Sequence, residues 1–228
     1  MRHPLSLLTR EVAPVPLAQR GTALLLQDVH APFSDLEEGA LLREARRKVV
    51  RREFDEYAAG VGDAIANAGR LLAAARDLGW PVHYVCWGYR GEAGPSPLQR
   101  AMGWDWDVDG PDGRLPDALQ PRQGEMVHAK PGWGALGAET LRQALTRDEV
   151  RAIVLAGLPF DFGVRHTCLE LADSGYRTLL ADDATAPLTR AAAAPARGNL
   201  AHGTTKLRST AEILDLMARI PSEGTVWV

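Results

Sequence analysis

The stretch GLPFDFGVRHTCLELADSGYRTLLADDATA, residues 157–186, indicates how this chain folds. It overlaps the apolar run AIVLAGLPF (152–160), continues as a helical pattern over 163–174, and returns to an apolar run, YRTLLADD (176–183). A strand, a helix and a second strand in this order predict a crossover connection between two parallel strands. The stretch also contains Cys168, so the question is whether this cysteine stands where a nucleophile would be needed.

The same alternation extends towards both ends of the chain. Two more apolar runs, TALLLQDV (22–29) and PVHYVCW (81–87), predict buried strands. Helical patterns cover 36–58, 61–79, 137–147, 163–174 and 209–219. Together they predict an α/β fold with three layers, in which helices cover both faces of a mainly parallel central sheet.

The chain has the length of one domain and no linker or internal repeat. We therefore expect a single domain over residues 1–228, with an N-terminal extension at 1–20. The segment 88–128 is rich in Gly, Pro and Asp and predicts a long loop region near the active site.

Composition excludes several classes of protein. A chain with 46% hydrophobic and 24% charged residues is not disordered. A net charge of -3 gives no reason to expect binding to nucleic acid or to a membrane. The N-terminus lacks the apolar run of a signal peptide, so we expect a cytoplasmic protein. The two cysteines, Cys86 and Cys168, form no metal-ligand spacing and no disulfide framework, and we expect no metal and no cofactor.

Ligands of open parallel sheets bind beyond the carboxyl ends of the strands. This rule selects Asp28, Trp87 and the residues after Gly157, because each follows a predicted strand. An aspartate directly after ALLLQ is either a partly buried carboxylate with a shifted pKa or the cap of the next turn.

Three separate segments resemble the isochorismatase-like hydrolases of the cysteine hydrolase superfamily. TALLLQDVHAPF is similar to the family's first strand, with Asp28 at its end and Phe33 as the following aromatic. HAKPGWGAL (128–136) resembles the segment that supplies the family's lysine, here Lys130. GLPFDFGVRHTCLELADSGY resembles the strand-to-helix elbow that carries the family's cysteine. The resemblance implies an isochorismatase-like, Rossmann-like fold.

The elbow's register places a glycine at the nucleophile position. Gly157, Thr167 and Gly175 match the family's anchors together, and they put Gly163 where the cysteine amidases carry their thiol. Cys168 lies five residues further along the predicted helix, rotated by roughly 140° and raised by about 7.5 Å. We therefore interpret Cys168 as a core cysteine.

Pro159 is a second departure from the cysteine members of the family. It occupies the position whose backbone N–H helps to form their oxyanion hole and which follows a cis peptide bond. Proline makes a cis bond inexpensive but has no N–H to donate. The substitution predicts that the bend is kept and the donor is lost, which argues against a thioester mechanism.

The resemblance is strongest to the branch without the cysteine, the isochorismatases and 2-amino-2-deoxyisochorismate hydrolases. It implies acid-catalysed hydrolysis of a vinyl ether on a small anionic ring substrate, in a setting such as secondary metabolism. Asp28 would protonate the enolpyruvyl methylene carbon, water would capture the cation, and the hemiketal would collapse to pyruvate and a ring alcohol. Lys130 would orient the substrate, and the space left by Gly163 would hold its ring.

The remaining expected substrate contacts follow from the same comparison. Arg100 would bind the substrate carboxylate, with Arg90 as its substitute. Four tryptophans near the strand ends indicate a pocket more aromatic than an isochorismate site, unless they are core or loop anchors. The expected substrate-binding residues are Trp87, Arg100, Arg90, Trp133, Pro159, Phe160, His30 and Phe33.

Two alternatives stay open at this stage. One is a cysteine-type amidohydrolase that uses Cys168. The other is a non-catalytic protein, or a member of the fold repurposed for elimination or isomerisation. In each case the family resemblance implies a homo-oligomer, a dimer or larger.

Overall fold

Eight strands and eight helices organise residues 14–203 and 205–228, the part of the chain that the computed structural model describes. The strands are β1 (Pro16–Ala18), β2 (Thr22–Gln27), β3 (Val82–Trp87), β4 (Met126–Lys130), β5 (Ala152–Gly157), β6 (Arg177–Thr185), β7 (Thr205–Arg208) and β8 (Thr225–Trp227). The helices are α1 (Ala31–Ser34), α2 (Ala40–Arg47), α3 (Asp55–Asp77), α4 (Pro97–Met102), α5 (Glu139–Arg147), α6 (Arg165–Asp173), α7 (Arg190–Gly203) and α8 (Thr210–Met217).

Six of the strands form one parallel sheet in the order β4-β3-β2-β5-β6-β7. Residues of α3 and α8 pack on one face, and residues of α5, α6 and α7 pack on the other. The predicted α/β class and its three layers are therefore confirmed. A separate antiparallel pair, β1 with β8, joins the two ends of the described chain.

The apolar run of β2 is buried along its whole length because both faces of the sheet are covered. Side chains alternate between the two faces, so Leu24 and Leu26 enter one core cluster and Ala23 and Leu25 enter the other. By the same alternation, Gln27 points to the face covered by α5 and α6.

The structure divides the first helical region differently from the sequence pattern. Predicted helices over 36–58 and 61–79 become α2, which ends at Arg47, and α3, which runs without interruption through residues 58–61. Val49 lies between them with a positive φ of 60° and is 90% exposed. A β-branched residue in this conformation ends a helix, a feature that a continuous charge pattern does not reveal.

Several elements had no counterpart in the sequence prediction, namely β1, β4, β7, β8, α1, α4 and α7. The region 88–128 contains α4 and several short helical turns, and its last residues already belong to β4. Most of the predicted N-terminal extension, residues 1–13, lies outside the described residues, and β1 falls at its end. Within the described chain, no helix is both long and apolar enough to cross a membrane.

Candidate active site

Asp28 lies at the junction of the two central strands. It follows β2 directly, donates its backbone N–H to Val85 at 2.8 Å, and has a positive φ of 53°. Aspartate is one of the few residues that adopt this conformation at modest cost. Its Oδ1 accepts a hydrogen bond from the backbone N–H of Trp87 at 2.7 Å. The carboxylate is therefore fixed by the end of the neighbouring strand and is only 1% exposed.

Lys130, the last residue of β4, forms a buried ion pair with Asp28. Its Nζ lies 2.9 Å from Asp28 Oδ2 and also donates to the carbonyls of Gly132 at 2.8 Å and Trp133 at 2.9 Å. Burial lowers the pKa of Lys130, and the charge of Asp28 opposes that effect. All three ammonium protons thus have protein acceptors. In the structure Lys130 binds Asp28 and not an open face of the site, and direct contact of Lys130 with a substrate stays a prediction.

Gln27 is a member of the site that the sequence prediction missed. It is fully buried, and its Nε2 donates to Asp28 Oδ2 at 3.2 Å and to the carbonyl of Trp133 at 3.1 Å. A lone amide at the end of an otherwise apolar strand was the available signal, because a buried amide needs specific partners. Gln27 also approaches the neighbouring strand so closely that a Cβ on Gly157 would lie 2.2 Å from the Gln27 carbonyl oxygen.

Gly163 faces this group directly. A Cβ added there would lie 2.6 Å from Gln27 Nε2 and 2.9 Å from Asp28 Oδ2. Gly163 has no positive φ, so its backbone conformation does not require glycine. The side chains of Gln27 and Asp28 are what leave no room for a larger residue at this position. The prediction that the space beside Gly163 holds the substrate ring is therefore wrong, because Gln27 and Asp28 fill that space.

Aromatic rings cover the site on its outer side. Trp87 is fully buried, its ring lies 4.3 Å from that of Trp133 and 4.6 Å from that of Trp104, and Lys130 Nζ lies 5.2 Å from its centroid. Trp133 is half-buried and contacts Phe162, which is exposed. We call Trp87, Trp104, Trp106, Trp133 and Phe162 the aromatic cover. The four tryptophans do come together, as the sequence suggested.

His30 and Phe33 lie beneath the same cover. Phe33 packs edge-on against Trp106 at 5.4 Å and His30 at 5.5 Å. His30 Nε2 lies 3.2 Å from the carbonyl of Trp87, and burial lowers the pKa of His30 to about 4. A neutral imidazole that donates through Nε2 carries a lone pair on Nδ1, and this atom has no partner among the described residues.

Neither predicted arginine joins the site. Arg100 is exposed and donates to the carbonyl of Pro95 beside its own helix, α4. Arg90 is also exposed, and it pairs with Asp109 at 3.1 Å and donates to the carbonyl of Val127. Both guanidinium groups are thus held at the protein surface, and the prediction that either contacts a substrate beside Asp28 is not supported by this geometry.

The elbow residues Pro159 and Phe160 differ from their predicted roles. No described peptide bond is cis, so the bond before Pro159 is trans, and the expected cis bend is wrong. Phe160 packs in the core beneath α6, with the guanidinium of Arg197 over its ring at 4.6 Å. Residues Phe160–Val164 form one wide helical turn that leads into α6. This turn brings Gly163 next to Asp28.

Cys168 lies in the core, as its register predicts. It is fully buried in α6 beside Thr205, and burial raises the pKa of its thiol to about 12. A buried thiol in an apolar environment is a poor nucleophile. The geometry therefore opposes the alternative in which Cys168 attacks a substrate.

The part of the chain that the structure describes contains no cluster of three or more His, Cys, Asp or Glu side chains arranged to hold a metal ion. A cavity of about 960 Å³ lies at the amino ends of the strands, beside Gly21, Arg151 and Trp227. It is remote from the carboxyl ends of the strands and from Asp28. The buried Asp28, Lys130 and Gln27 carry the chemistry that the strand ends bring together.

Comparison with known proteins agrees with this fold. The family model described as Isochorismatase domain matches residues 22–212. Maleamate amidohydrolase from Pseudomonas putida is 29% identical over 128 residues, which cover 54% of this chain and 60% of that protein. An uncharacterized isochorismatase family protein from Escherichia coli O157:H7 is 27% identical over 129 residues, which cover 54% of this chain and 66% of that protein. The chain thus spans less than two thirds of the length of these curated relatives.

A solved structure of a cysteine hydrolase from Pseudomonas syringae pv. phaseolicola superposes with a TM-score of 0.74 at 19% identity. The match covers 92% of this chain and 98% of that one, which shows a shared fold. The family match includes β2 with Asp28, β4 with Lys130 and the elbow with Gly163. The chain belongs to the isochorismatase-like hydrolase family.

Proposed function

We propose that this hydrolase cleaves a vinyl ether on a small anionic ring acid and releases pyruvate, with Asp28 as the proton donor and without a cysteine nucleophile. The observation that carries the proposal is the environment of Gly163. A side chain at the nucleophile position would collide with Gln27 and Asp28, whereas Asp28 and Lys130 remain paired at 2.9 Å. The chain thus has the acid, Asp28, and the lysine, Lys130, but no nucleophile at position 163.

The proton for this reaction comes from the ion pair as a unit. Lys130 Nζ lies 2.9 Å from Asp28 Oδ2, so the ammonium can pass a proton directly to the carboxylate without leaving an isolated charge. Protonated Asp28 then donates to the methylene carbon of the enolpyruvyl group, which becomes a methyl group. Lys130 therefore acts as the proton reservoir of Asp28.

Water completes the reaction. Its oxygen adds to the oxocarbenium carbon, and the proton that it loses returns through Asp28 to Lys130. Collapse of the hemiketal moves the remaining hydroxyl proton to the ring oxygen as the carbon–oxygen bond breaks. The products are pyruvate and a ring alcohol, and the ion pair regains its initial protonation.

Access to Asp28 requires the aromatic cover to move, because Asp28 and Lys130 are almost fully buried. Trp133 and Phe162 form the outer edge of that cover, and their rings lie 5.0 Å apart. Displacement of this edge would admit the substrate and leave its ring between aromatic side chains. The aromatic surroundings favour a flat, unsaturated ring over an aliphatic chain.

Amide hydrolysis is the competing function, because the name of the Pseudomonas putida relative assigns it that activity. The geometry favours the ether reaction. An amidase that forms a thioester needs a reactive thiol, and here Cys168 is fully buried with its pKa raised to about 12.

The test is an incubation of the purified protein with isochorismate and with 2-amino-2-deoxyisochorismate, with pyruvate measured by a coupled assay. The native protein should release pyruvate from one of them, and Asp28→Asn should not. Because Asp28→Asn strands a buried ammonium, the double variant Asp28→Asn/Lys130→Met serves as a neutral, inactive control whose folding is checked by circular dichroism. Pyruvate release by the folded double variant would refute the role of Asp28. If the native protein releases no pyruvate from either compound, hydrolysis of both compounds is refuted.

A further inference from the structure

Gln27 is placed in the reactive site by the sheet itself. It ends β2, pairs in register with Gly157 of β5, and precedes Asp28. Its alternation in the strand directs the side chain to the face where Gly163 lies. An amide this deeply buried must either be fully hydrogen-bonded or have a partner that is not part of the protein.

Hydrogen bonding fixes the orientation of the Gln27 amide. Nε2 faces two acceptors, Asp28 Oδ2 at 3.2 Å and the carbonyl oxygen of Trp133 at 3.1 Å. A flipped amide would place its own oxygen against both of these oxygens, which is repulsive. Both hydrogen bonds that the amide nitrogen donates are therefore made within the protein. The amide oxygen is the atom left to accept a hydrogen bond from a bound molecule.

That oxygen, Gln27 Oε1, is buried and has no hydrogen-bond partner among the described residues. It belongs to a side chain that contacts Asp28, the proposed acid. Two other residues around Asp28 carry buried atoms without a described partner, namely His30 Nδ1 and Trp87 Nε1. A site that leaves such atoms unpaired is suited to a small molecule that supplies hydrogen bonds, and water is the smallest.

A side chain at position 163 would require Gln27 to leave its hydrogen-bonded position. A Cβ there would lie 2.6 Å from Gln27 Nε2, closer than a normal contact. Gln27 and a nucleophile at position 163 would therefore occupy the same space. In this chain the long side chain of Gln27 is accompanied by a glycine at position 163.

We propose that Gln27 determines the reaction type of this site: it fills the space of the missing nucleophile and holds the attacking water through Oε1. The water-holding half rests on the proposed vinyl-ether hydrolysis, and the space-filling half does not. An amide oxygen accepts a hydrogen bond from water but is too weakly basic to keep a proton. Asp28, a carboxylate again after protonating the substrate, receives the proton as the water oxygen bonds to carbon. Gln27 is accordingly a positioning residue.

The space-filling half is tested by unfolding experiments that need no substrate. Gly163→Ala should lower Tm by several degrees in the native background and by a smaller amount in the Gln27→Ala background, because the closer contact, at 2.6 Å from Nε2, is gone while the contact at 2.9 Å from Asp28 Oδ2 remains. Gly62→Ala is the matched control, since a Cβ at Gly62 in α3 meets no atom within 4 Å. It should not lower Tm in either background. Equal losses for Gly163→Ala in both backgrounds would overturn the proposal.

The water-holding half is tested by the kinetics of Gln27→Met. Methionine keeps the length and volume of the side chain, so position 163 remains excluded, but it removes the acceptor Oε1 together with the two hydrogen bonds that Nε2 donates. We expect kcat for pyruvate release to fall on the order of a hundredfold, as for other losses of reactant positioning, with KM nearly unchanged. An unchanged kcat, or an increase in KM alone, would overturn the role in holding water.

These two arms separate the possible failures. If the native protein releases no pyruvate from either ring acid, the proposed function fails and the water-holding role fails with it. The unfolding arm would still decide whether Gln27 replaces the nucleophile in space. If pyruvate is released but Gln27→Met is fully active, only the inference about water is wrong.

Discussion

At the end of β2, Asp28 combines a mildly strained, left-handed backbone conformation with a buried carboxylate that pairs with the buried ammonium of Lys130. Asp28 holds its positive φ because Trp87 and Val85 of β3 fix both its side chain and its backbone. Such strain is kept when surrounding contacts determine the conformation, and it is frequent at reactive sites. The geometry is thus consistent with an acid whose position matters more than its local conformational energy.

The ion pair predicts a specific pattern of stability. Lys130→Met should cost about 3–5 kcal/mol of unfolding free energy, because it removes the partner of a buried charge. The double variant Asp28→Asn/Lys130→Met should be more stable than Lys130→Met alone, since no buried charge is left unpaired. Urea unfolding of the single and double variants measures this. Additive losses would show that the two residues do not stabilise one another.

At the residue scale, the sequence predicts which positions matter better than it predicts their contacts. Asp28 and Lys130 lie in segments that resemble those of the family, and the register of the elbow identifies Gly163. The pairing of Lys130 with Asp28 could not be predicted, because it depends on β4 lying beside β3 in the sheet. The role of Gln27 depends on a different pair, β2 with β5, which sets Gln27 opposite Gly157.

At the scale of elements, α4 fixes the segment that follows Lys130. Ser96 caps α4 by accepting from the backbone N–H of Gln99, and its hydroxyl donates to the carbonyl of Pro131 at 2.6 Å. The next turn is bound from the other side, where Thr167 of α6 accepts from the backbone N–H of Ala135 at 2.9 Å. Trp133 is thus held between two helices.

Ser96→Ala should therefore do more than weaken a helix cap. We expect a loss of about 1 kcal/mol of stability and stronger quenching of tryptophan fluorescence by acrylamide, because the aromatic cover loosens. Ser209→Ala is the matched control. Ser209 caps α8 through the same capping box with Glu212 and should cost a similar amount without changing the quenching. Equal quenching in the two variants would contradict the link between α4 and the cover.

The elements that sequence patterns predicted well are those buried on both faces. β2, β3 and β5 are buried throughout, so their apolar runs stand out. β4 reads MVHAK, with a buried histidine and lysine, and gives no comparable signal. α7 contains Pro195, which argues against a helix in any local prediction.

Across the whole molecule, stability should depend on pH through buried histidines. His83 and His128 join β3 to β4 with ring nitrogens 3.2 Å apart, and His128 Nδ1 lies 2.8 Å from Thr140 Oγ1. Burial lowers the pKa of both, that of His128 to about 4 from 6.5. Unfolded histidines take up protons first as pH falls, so the contribution of the histidines to stability should be constant above about pH 6.5 and decrease towards pH 4.

Urea unfolding at a series of pH values measures this decrease. His128→Gln should show a shallower decrease than the native protein, because one depressed pKa is removed. Some dependence should persist, since the pKa of His30 is also lowered to about 4 by burial. The same slope in both proteins would show that His128 does not contribute.

The overall architecture followed from the alternation of apolar runs and helical patterns, because crossover connections constrain a parallel sheet strongly. That alternation did not predict that aromatic rings close the site. Closure depends on rings from distant segments, Trp87, Trp104 and Trp133, meeting over the strand ends. Contacts between residues so far apart in sequence are fixed only by the complete fold.

The central claim, hydrolysis without a thiol, is tested most directly by removing both cysteines. Cys86 and Cys168 are the two cysteines of the chain, and both are buried. The measurement is kcat/KM for pyruvate release by Cys86→Ala/Cys168→Ala beside the native protein, with circular dichroism to confirm folding. The account predicts that the thiol-free protein turns over at the native rate. A folded variant without turnover would contradict it and would return a cysteine to the mechanism.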